Sequence, residues 1–194
     1  MTKFFSSVCI SVGFSALVLV TTVGYAQQNP QTRASGSTYR NGSLAFRYSI
    51  PHGMLDKTAR FTLQIEDQPG SWKTLGTLLA LSSGSDSSAP RWGSVTIVTY
   101  PRNDVPEPDD SKAEAQMNAW VAHSRDASAL PRPAVISGQK FTVSVFGLRE
   151  GTVTKGAVVW TTVRKGKLLS FAFAANSPEV LKNLTESMKI VQFY

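Results

Sequence analysis

Cysteine and histidine are scarce in this chain of 194 residues, which has one cysteine, Cys9, and two histidines, His52 and His123. A single cysteine forms no disulfide within the chain, and two histidines alone build neither a metal site nor a catalytic triad. Charged residues make up 17% and hydrophobic residues 42%, a balance typical of globular domains. We therefore expect a domain that is stabilised by burial of apolar surface.

Long apolar runs are absent except at the N-terminus, which has the order of a secretory signal peptide. Lys3 precedes the apolar segment Val8–Val20, and Gly24-Tyr25-Ala26 ends the region with small residues. We expect residues 1–26 to be cleaved after Ala26, which makes the mature chain secreted or periplasmic, without a membrane span. The alternative is an uncleaved anchor, although the run is short for a bilayer core about 30 Å thick.

Negative charge is the scarcer sign, with 13 acidic against 20 basic residues and a net charge of +7. This balance favours anionic partners, such as a component of the cell envelope. The basic residues are dispersed, however, and the one dense group, Arg164–Lys167, is predicted to lie at a hairpin turn. No basic and aromatic strand motif is present, so no nucleic acid partner is expected.

Residues 27–38 are rich in Gln, Ser, Gly and Asn, which predicts a flexible leader before a single domain over residues 39–194. Within the domain, a two-residue turn at Lys165-Gly166 would join two strands that are apolar on both faces, so we expect a sheet covered on both faces. The pairs predicted by that turn are Trp160 with Phe171, Thr162 with Leu169, and Val158 with Phe173. Alternating or continuous apolar residues predict further strands at Leu44–Ile50, Phe61–Ile65, Leu75–Leu81, Val95–Tyr100 and Phe141–Val145, with loops at 101–108 and 128–133.

Two segments have helical spacing. Ser111-Lys-Ala-Glu114 matches a capping box, which predicts a helix over residues 111–125. Ser177-Pro178-Glu179 is typical of a helix start, and Leu181, Leu184 and Met188 follow on one face. Residues 190–193 are predicted to close the chain, with a last strand as one option. Together the patterns predict an α+β fold, in which an antiparallel sheet is sandwiched between helices (α/β/α).

No catalytic pattern is present, and we assign no catalytic, cofactor-binding or metal-binding residue. Ser137 and Lys140 match Ser-x-x-Lys, but they lead into a strand instead of opening a helix. Trp72 and Trp92 are predicted to lie in loops, the second beside Arg91. Tryptophan and arginine concentrate binding energy in interfaces, so Trp72, Arg91 and Trp92 form the candidate interaction surface. The alternative is that both tryptophans cover the edge of the sheet.

The segment Tyr39–Gly53 is an aromatic strand ending in Pro-x-Gly, and the chain closes with Gly166–Phe173 followed by Asn183–Ile190. In these segments and in the order of its elements, the chain resembles the PsbP-like family and uncharacterised exported bacterial proteins. The resemblance implies the α/β/α sandwich that this family shares with Mog-type proteins, and a non-catalytic binder or assembly factor with an unknown protein partner. It carries over no functional residue. The alternatives are a binder of a small ligand or of an anionic cell-envelope polymer and, third, a hydrolase with an unmarked site.

Overall fold

The computed structural model describes residues 37–68, 71–100, 131–150 and 153–194 of the chain. The predicted signal peptide, the predicted leader up to residue 36, the loop predicted over residues 101–108 and the helix expected over residues 111–125 lie outside these described residues. Within them, the centre of the fold is a seven-stranded sheet in which every pair of neighbouring strands is antiparallel. In spatial order its strands are β3 (Leu55–Asp56), β6 (Gly76–Ser82), β7 (Gly93–Thr99), β11 (Lys167–Ala175), β10 (Val153–Arg164), β9 (Gln139–Glu150) and β8 (Arg132–Ile136).

The hairpin of β10 and β11 has the predicted register. Lys165 and Gly166 have φ values of 47° and 70°, the pair of positive angles that a type I′ turn requires. All three predicted pairs are present, namely Trp160 with Phe171, Thr162 with Leu169, and Val158 with Phe173. The turn residues and the period of two were therefore sufficient to set the register of this hairpin.

Strand β8 corrects the end of the loop predicted over residues 128–133, whose first three residues lie outside the described ranges. It begins at Arg132 and pairs with β9 across a second two-residue turn, in which Ser137 and Gly138 have φ values of 48° and 77°. Proline inside the segment suggested a loop, but β8 is the last strand of the sheet. Pro133 lies opposite Thr142. With a two-residue turn at Ser137-Gly138, this is a non-hydrogen-bonded pair of the antiparallel ladder. Proline, which has no backbone N–H, therefore breaks no hydrogen bond to β9.

A second, three-stranded sheet has the order β1 (Thr38–Asn41), β2 (Phe46–Ser49) and β12 (Gln192–Phe193). One strand was predicted at Leu44–Ile50, whereas β1, which begins one residue inside the predicted leader, was not predicted. The side chain of Asn41 accepts a hydrogen bond from the amide of Leu44 at 2.9 Å and thereby holds the turn between β1 and β2. The alternating residues of the predicted strand are buried as expected: Leu44, Phe46, Tyr48 and Ile50.

Strands β4 (Gln64–Gln68) and β5 (Ser71–Thr74) form a separate two-stranded ribbon. This arrangement corrects the placement of Trp72, which was predicted to lie in a loop and instead lies in β5, opposite Glu66. The amide of Leu75 donates to the carbonyl of Leu63 at 2.8 Å, so the ribbon continues towards the start of β6.

The main core lies on one face of the large sheet, which we call the aromatic face. Helix α1 (Pro178–Glu186), a 3₁₀ turn (Ser187–Ile190) and the small sheet all pack there. Phe171 is at its centre, with ring centroids 5.5 Å from Phe46 and 6.2 Å from Phe141. The antiparallel sheet and a helix on one face are confirmed, whereas the small sheet on the same face was not predicted.

Candidate functional site

The loop of residues 83–92 joins β6 to β7 and contains two of the three predicted site residues. Its ends are tied together, because the amide of Ser83 donates to the carbonyl of Gly93 at 2.9 Å and the Gly93 amide donates to the Ser83 hydroxyl at 2.9 Å. At its tip, Asp86 accepts hydrogen bonds from the hydroxyl of Ser88 at 2.6 Å and from its amide at 2.9 Å. These two bonds lower the pKa of Asp86. The loop therefore has a defined conformation.

Asn176, at the end of β11, fixes the same loop to the body of the sheet. Its side-chain amide donates to the carbonyls of Ser87 and Ala89, both at 2.8 Å. Its backbone amide donates to the carbonyl of Trp92 at 3.1 Å, and the backbone amide of Trp92 donates to the carbonyl of Ala89 at 2.8 Å. The backbone of Trp92 is therefore held in place by hydrogen bonds on both sides of the residue.

Trp92 is half-buried, and neighbouring Arg91 is exposed. The indole packs against a cluster of Phe146, Ala157, Val159 and Ala174 on the second face of the large sheet. The ammonium group of Lys155 lies 4.5 Å from the centroid of the indole, a cation–π geometry. Lys155 is only 7% exposed, and a buried lysine needs such partners because loss of hydration penalises its charge. Trp92 is thus both a cover for the sheet and part of the surface.

The backbone positions of Trp72 and Trp92 are far apart along the hairpin of β6 and β7. Strands β6 and β7 pair with Gly76 opposite Thr99 at one end and Ser82 opposite Ser94 at the other. Trp92 precedes β7 at the second end, and β5, which contains Trp72, leads into the first. Strands of seven residues are about 20 Å long, so the structure places the two tryptophans at opposite ends of this hairpin.

A chain of buried hydroxyl groups crosses the second face of the sheet, which we call the hydroxyl face. Thr161 and Ser170 are cross-strand neighbours whose hydroxyl oxygens lie 3.0 Å apart, and Tyr100 bonds to Ser170. Burial raises the pKa of Tyr100 to about 12, and the bond to Ser170 opposes part of that rise. A phenol held in its protonated form is a hydrogen-bond donor at neutral pH and a poor base.

Neither Lys155 nor the hydroxyl chain was predicted from the sequence. The signal for Lys155 was a lysine two residues before the apolar run Ala157–Trp160. The Ser-x-x-Lys match is placed in the β8–β9 turn, where the Ser137 hydroxyl donates to the carbonyl of Val191 at 2.7 Å and Lys140 is exposed. His52 is exposed after Pro51, and His123 lies outside the described residues.

Within the part of the chain that the structure describes, no three His, Cys, Asp or Glu residues lie close enough together to hold a metal ion. Over the same ranges, the helices are too short or too polar to cross a membrane.

No family model matches the sequence, and no curated protein matches it significantly. Among solved structures, the chain is similar to the solution structure of cyanobacterial PsbP (CyanoP) from Synechocystis sp. PCC 6803, with 13% identity and a TM-score of 0.46. That similarity covers 87% of this chain and 98% of the other. It concerns the fold and assigns no residue, ligand or partner to this chain.

Proposed function

We propose that this chain is a non-catalytic binding or assembly module that docks a protein partner through the loop of residues 83–92. The observation that carries the proposal is the fixed conformation of this loop, which presents exposed Arg91 beside half-buried Trp92. A loop that is ordered before binding loses less conformational entropy in the complex, so more of its contact energy becomes affinity. Arg and Trp are also the side chains most often found where interfaces concentrate their energy.

The test uses Arg91→Ala, because truncating an exposed side chain leaves the packing of Trp92 unchanged. The native envelope fraction is passed over the immobilised chain, and retained proteins are identified and their affinity measured. Arg91→Ala should lower the affinity for a specific partner about ten-fold or more. Lys182→Ala, an exposed control on α1, should leave that affinity unchanged. Equal retention by the wild type and both variants would overturn the role of the loop.

We also propose that the fold is completed as a PsbP-like α/β/α sandwich, in which a second helical layer covers the hydroxyl face. Three residues on that face support this, because Thr96, Val159 and Ser170 are each no more than 4% exposed and are therefore covered. Hydrogen exchange tests this layer, because the amides of residues 111–125, which the sequence predicts to be helical, should be protected in the folded protein. Exchange of these amides as fast as in an unfolded chain would contradict the proposal.

We further propose that the protein acts outside the cytoplasm after cleavage at Ala26. The support is the sequence order of Lys3, an apolar run and a small-residue site. Intact-mass measurement of the exported protein should give the mass of residues 27–194. A mass that includes residues 1–26 would favour the membrane anchor instead.

A further inference from the structure

The outer side of the small sheet carries two arginines directly opposite each other. The register of β1 and β2 pairs Arg40 with Arg47, and the next strand places Gln192 opposite Arg47. Phe46, Tyr48 and Phe193 turn inward to the core, so alternation turns the residues between them outward. The outward residues, which we call the arginine face, are Thr38, Arg40, Arg47, Ser49, Gln192 and Tyr194.

Charge on the arginine face is unbalanced. Among the residues that the structure describes, neither Arg40 nor Arg47 has a carboxylate within 4.0 Å, and the face itself contains no acidic residue. The Nε of Arg47 donates instead to the side-chain oxygen of Gln192 at 2.6 Å. Directly opposed residues on one side of a sheet have Cβ atoms about 5 Å apart, where like charges destabilise the sheet. An anion between the two guanidinium groups would remove that repulsion.

The remaining side chains indicate what kind of anion fits. Guanidinium groups bind carboxylates through two parallel hydrogen bonds, and the hydroxyls of Thr38 and Ser49 beside them can donate or accept. Tyr194 is 64% exposed, yet its backbone is fixed, since its amide donates to Ala45 at 3.0 Å and its carbonyl accepts from Arg164 at 2.7 Å. The face thus combines paired cations, hydroxyl partners and an exposed aromatic ring on a fixed backbone, on a surface about 10 Å wide.

We propose that the arginine face binds an acidic polysaccharide whose sugar units carry carboxylates. The carboxylates would pair with Arg40 and Arg47, the sugar hydroxyls with Thr38, Ser49 and Gln192, and the ring of Tyr194 would lie against a sugar. This site goes beyond the proposed protein-binding loop and uses different strands. A variant of one site therefore leaves the other site to be measured independently.

Other polyanions fit this surface less well. Anionic membranes are usually recognised by clusters of about four to eight basic residues, whereas this face has two. Single-stranded nucleic acid needs several aromatic side chains on which successive bases stack, and this face has one. A polymer rich in hydroxyls and carboxylates uses every side chain of the face.

The experiment measures binding of the full chain to polygalacturonate by calorimetry at low ionic strength, with neutral dextran as the uncharged control. The double variant Arg40→Gln/Arg47→Gln should lose about ten-fold or more in affinity, because each arginine supplies a charge-assisted pair. The matched control Lys140→Gln/Lys182→Gln makes the same change in net charge at exposed positions elsewhere and should lose less than about two-fold. The arginine variants should fold with about wild-type stability, since loss of the exposed Arg47–Gln192 bond is offset by removal of the like-charge pair.

Three results would overturn the proposal. The first is the absence of polygalacturonate binding, and the second is an equal loss in the arginine and control variants, which would show an effect of net charge alone. The third is binding to phosphatidylglycerol vesicles or to single-stranded DNA that is as tight as binding to polygalacturonate and is lost in the same arginine variant. Loss of polygalacturonate binding in Arg91→Ala is not expected, because that variant reports on the protein-binding loop.

Discussion

The two faces of the seven-stranded sheet are built from different kinds of side chain. The aromatic face has large apolar residues, and α1 and the small sheet cover it. The hydroxyl face has small and hydroxyl-bearing residues in its middle, with Trp92 over Lys155 towards one end and Tyr100 towards the other. The residues that best show the contrast are Leu79, Ile97, Phe171 and Phe173 on the aromatic face, and Thr96, Ser144, Thr161 and Ser170 on the hydroxyl face.

This difference shows that the same strands supply stability on one side and a polar network on the other. Apolar burial is proportional to the area removed from water, so the large residues of the aromatic face contribute most of it. A buried hydroxyl stabilises the fold only when it is hydrogen-bonded, so the hydroxyl face depends on partners such as the Thr161–Ser170 pair. Single substitutions should therefore have unequal effects on the two faces.

The largest expected effect is that of Phe171→Ala on the aromatic face. Phe171 is fully buried among other rings, and removing it should lower the free energy of unfolding by about 3–5 kcal/mol through lost burial and a cavity. Ala172, the next residue, is half-buried on the hydroxyl face. Ala172→Ser should change the free energy of unfolding by less than about 1 kcal/mol. Urea denaturation measures both variants, and equal losses would remove the distinction between the faces.

The sequence predicted the central hairpins well because their signals are local. Lys165-Gly166 specifies a turn, and period two on either side of it gives the register, as the pairing of Trp160 with Phe171 confirms. Leu75–Leu81 and Val95–Tyr100 were also predicted close to β6 and β7, since continuous apolar residues indicate buried strands.

Short edge strands were the elements that the sequence predicted least well. β1 resembles the polar leader that precedes it, and β8 contains Pro133, so neither has a strong strand pattern of its own. Both strands exist because a neighbouring strand supplies their hydrogen bonds, which is tertiary information. The arginine face was hidden for the same reason. Arg40 and Arg47 look unrelated along the chain, and only the register of β1 with β2 places them opposite each other.

The second prediction concerns the close approach of α1 to the aromatic face. A Cβ atom on Gly93 would lie 2.7 Å from Cδ1 of Leu184 and 2.9 Å from Cγ1 of Val180. Gly93→Ala should therefore overpack this contact and cost about 1–3 kcal/mol. A Cβ atom on Gly147 in β9 would meet no atom within 4 Å, so Gly147→Ala is the matched control. Thermal unfolding that ranks the two variants the other way would show that α1 is not held this closely.

The third prediction separates the two partners of a buried hydroxyl pair on the aromatic face. The Ser187 hydroxyl donates to the carbonyl of Leu184 at 2.5 Å, so Tyr48 is the donor in the 2.8 Å bond between the Tyr48 and Ser187 oxygens. Ser187→Ala leaves the buried Tyr48 hydroxyl without this acceptor and should cost about 1–3 kcal/mol. Tyr48→Phe leaves Ser187 bonded to Leu184 and should cost about 1 kcal/mol. Chemical denaturation of both variants checks this order, and a larger loss in Tyr48→Phe would reverse the donor assignment.

The last prediction concerns alkaline pH, and its effect at neutral pH is the smallest of the four. It reports on both faces of the sheet, because one buried tyrosine lies on each. Burial raises the pKa of Tyr100 on the hydroxyl face to about 12 and that of Tyr48 on the aromatic face above its ordinary value near 10. Unfolded tyrosine loses its proton first, so these groups leave stability unchanged below about pH 10 and lower it as the pH rises further. Melting temperatures between pH 9 and pH 12 should fall less steeply for Tyr100→Phe than for the wild type, and likewise for Tyr48→Phe. A slope that neither variant changes would show that the two phenols ionise in the folded protein as readily as in the unfolded chain.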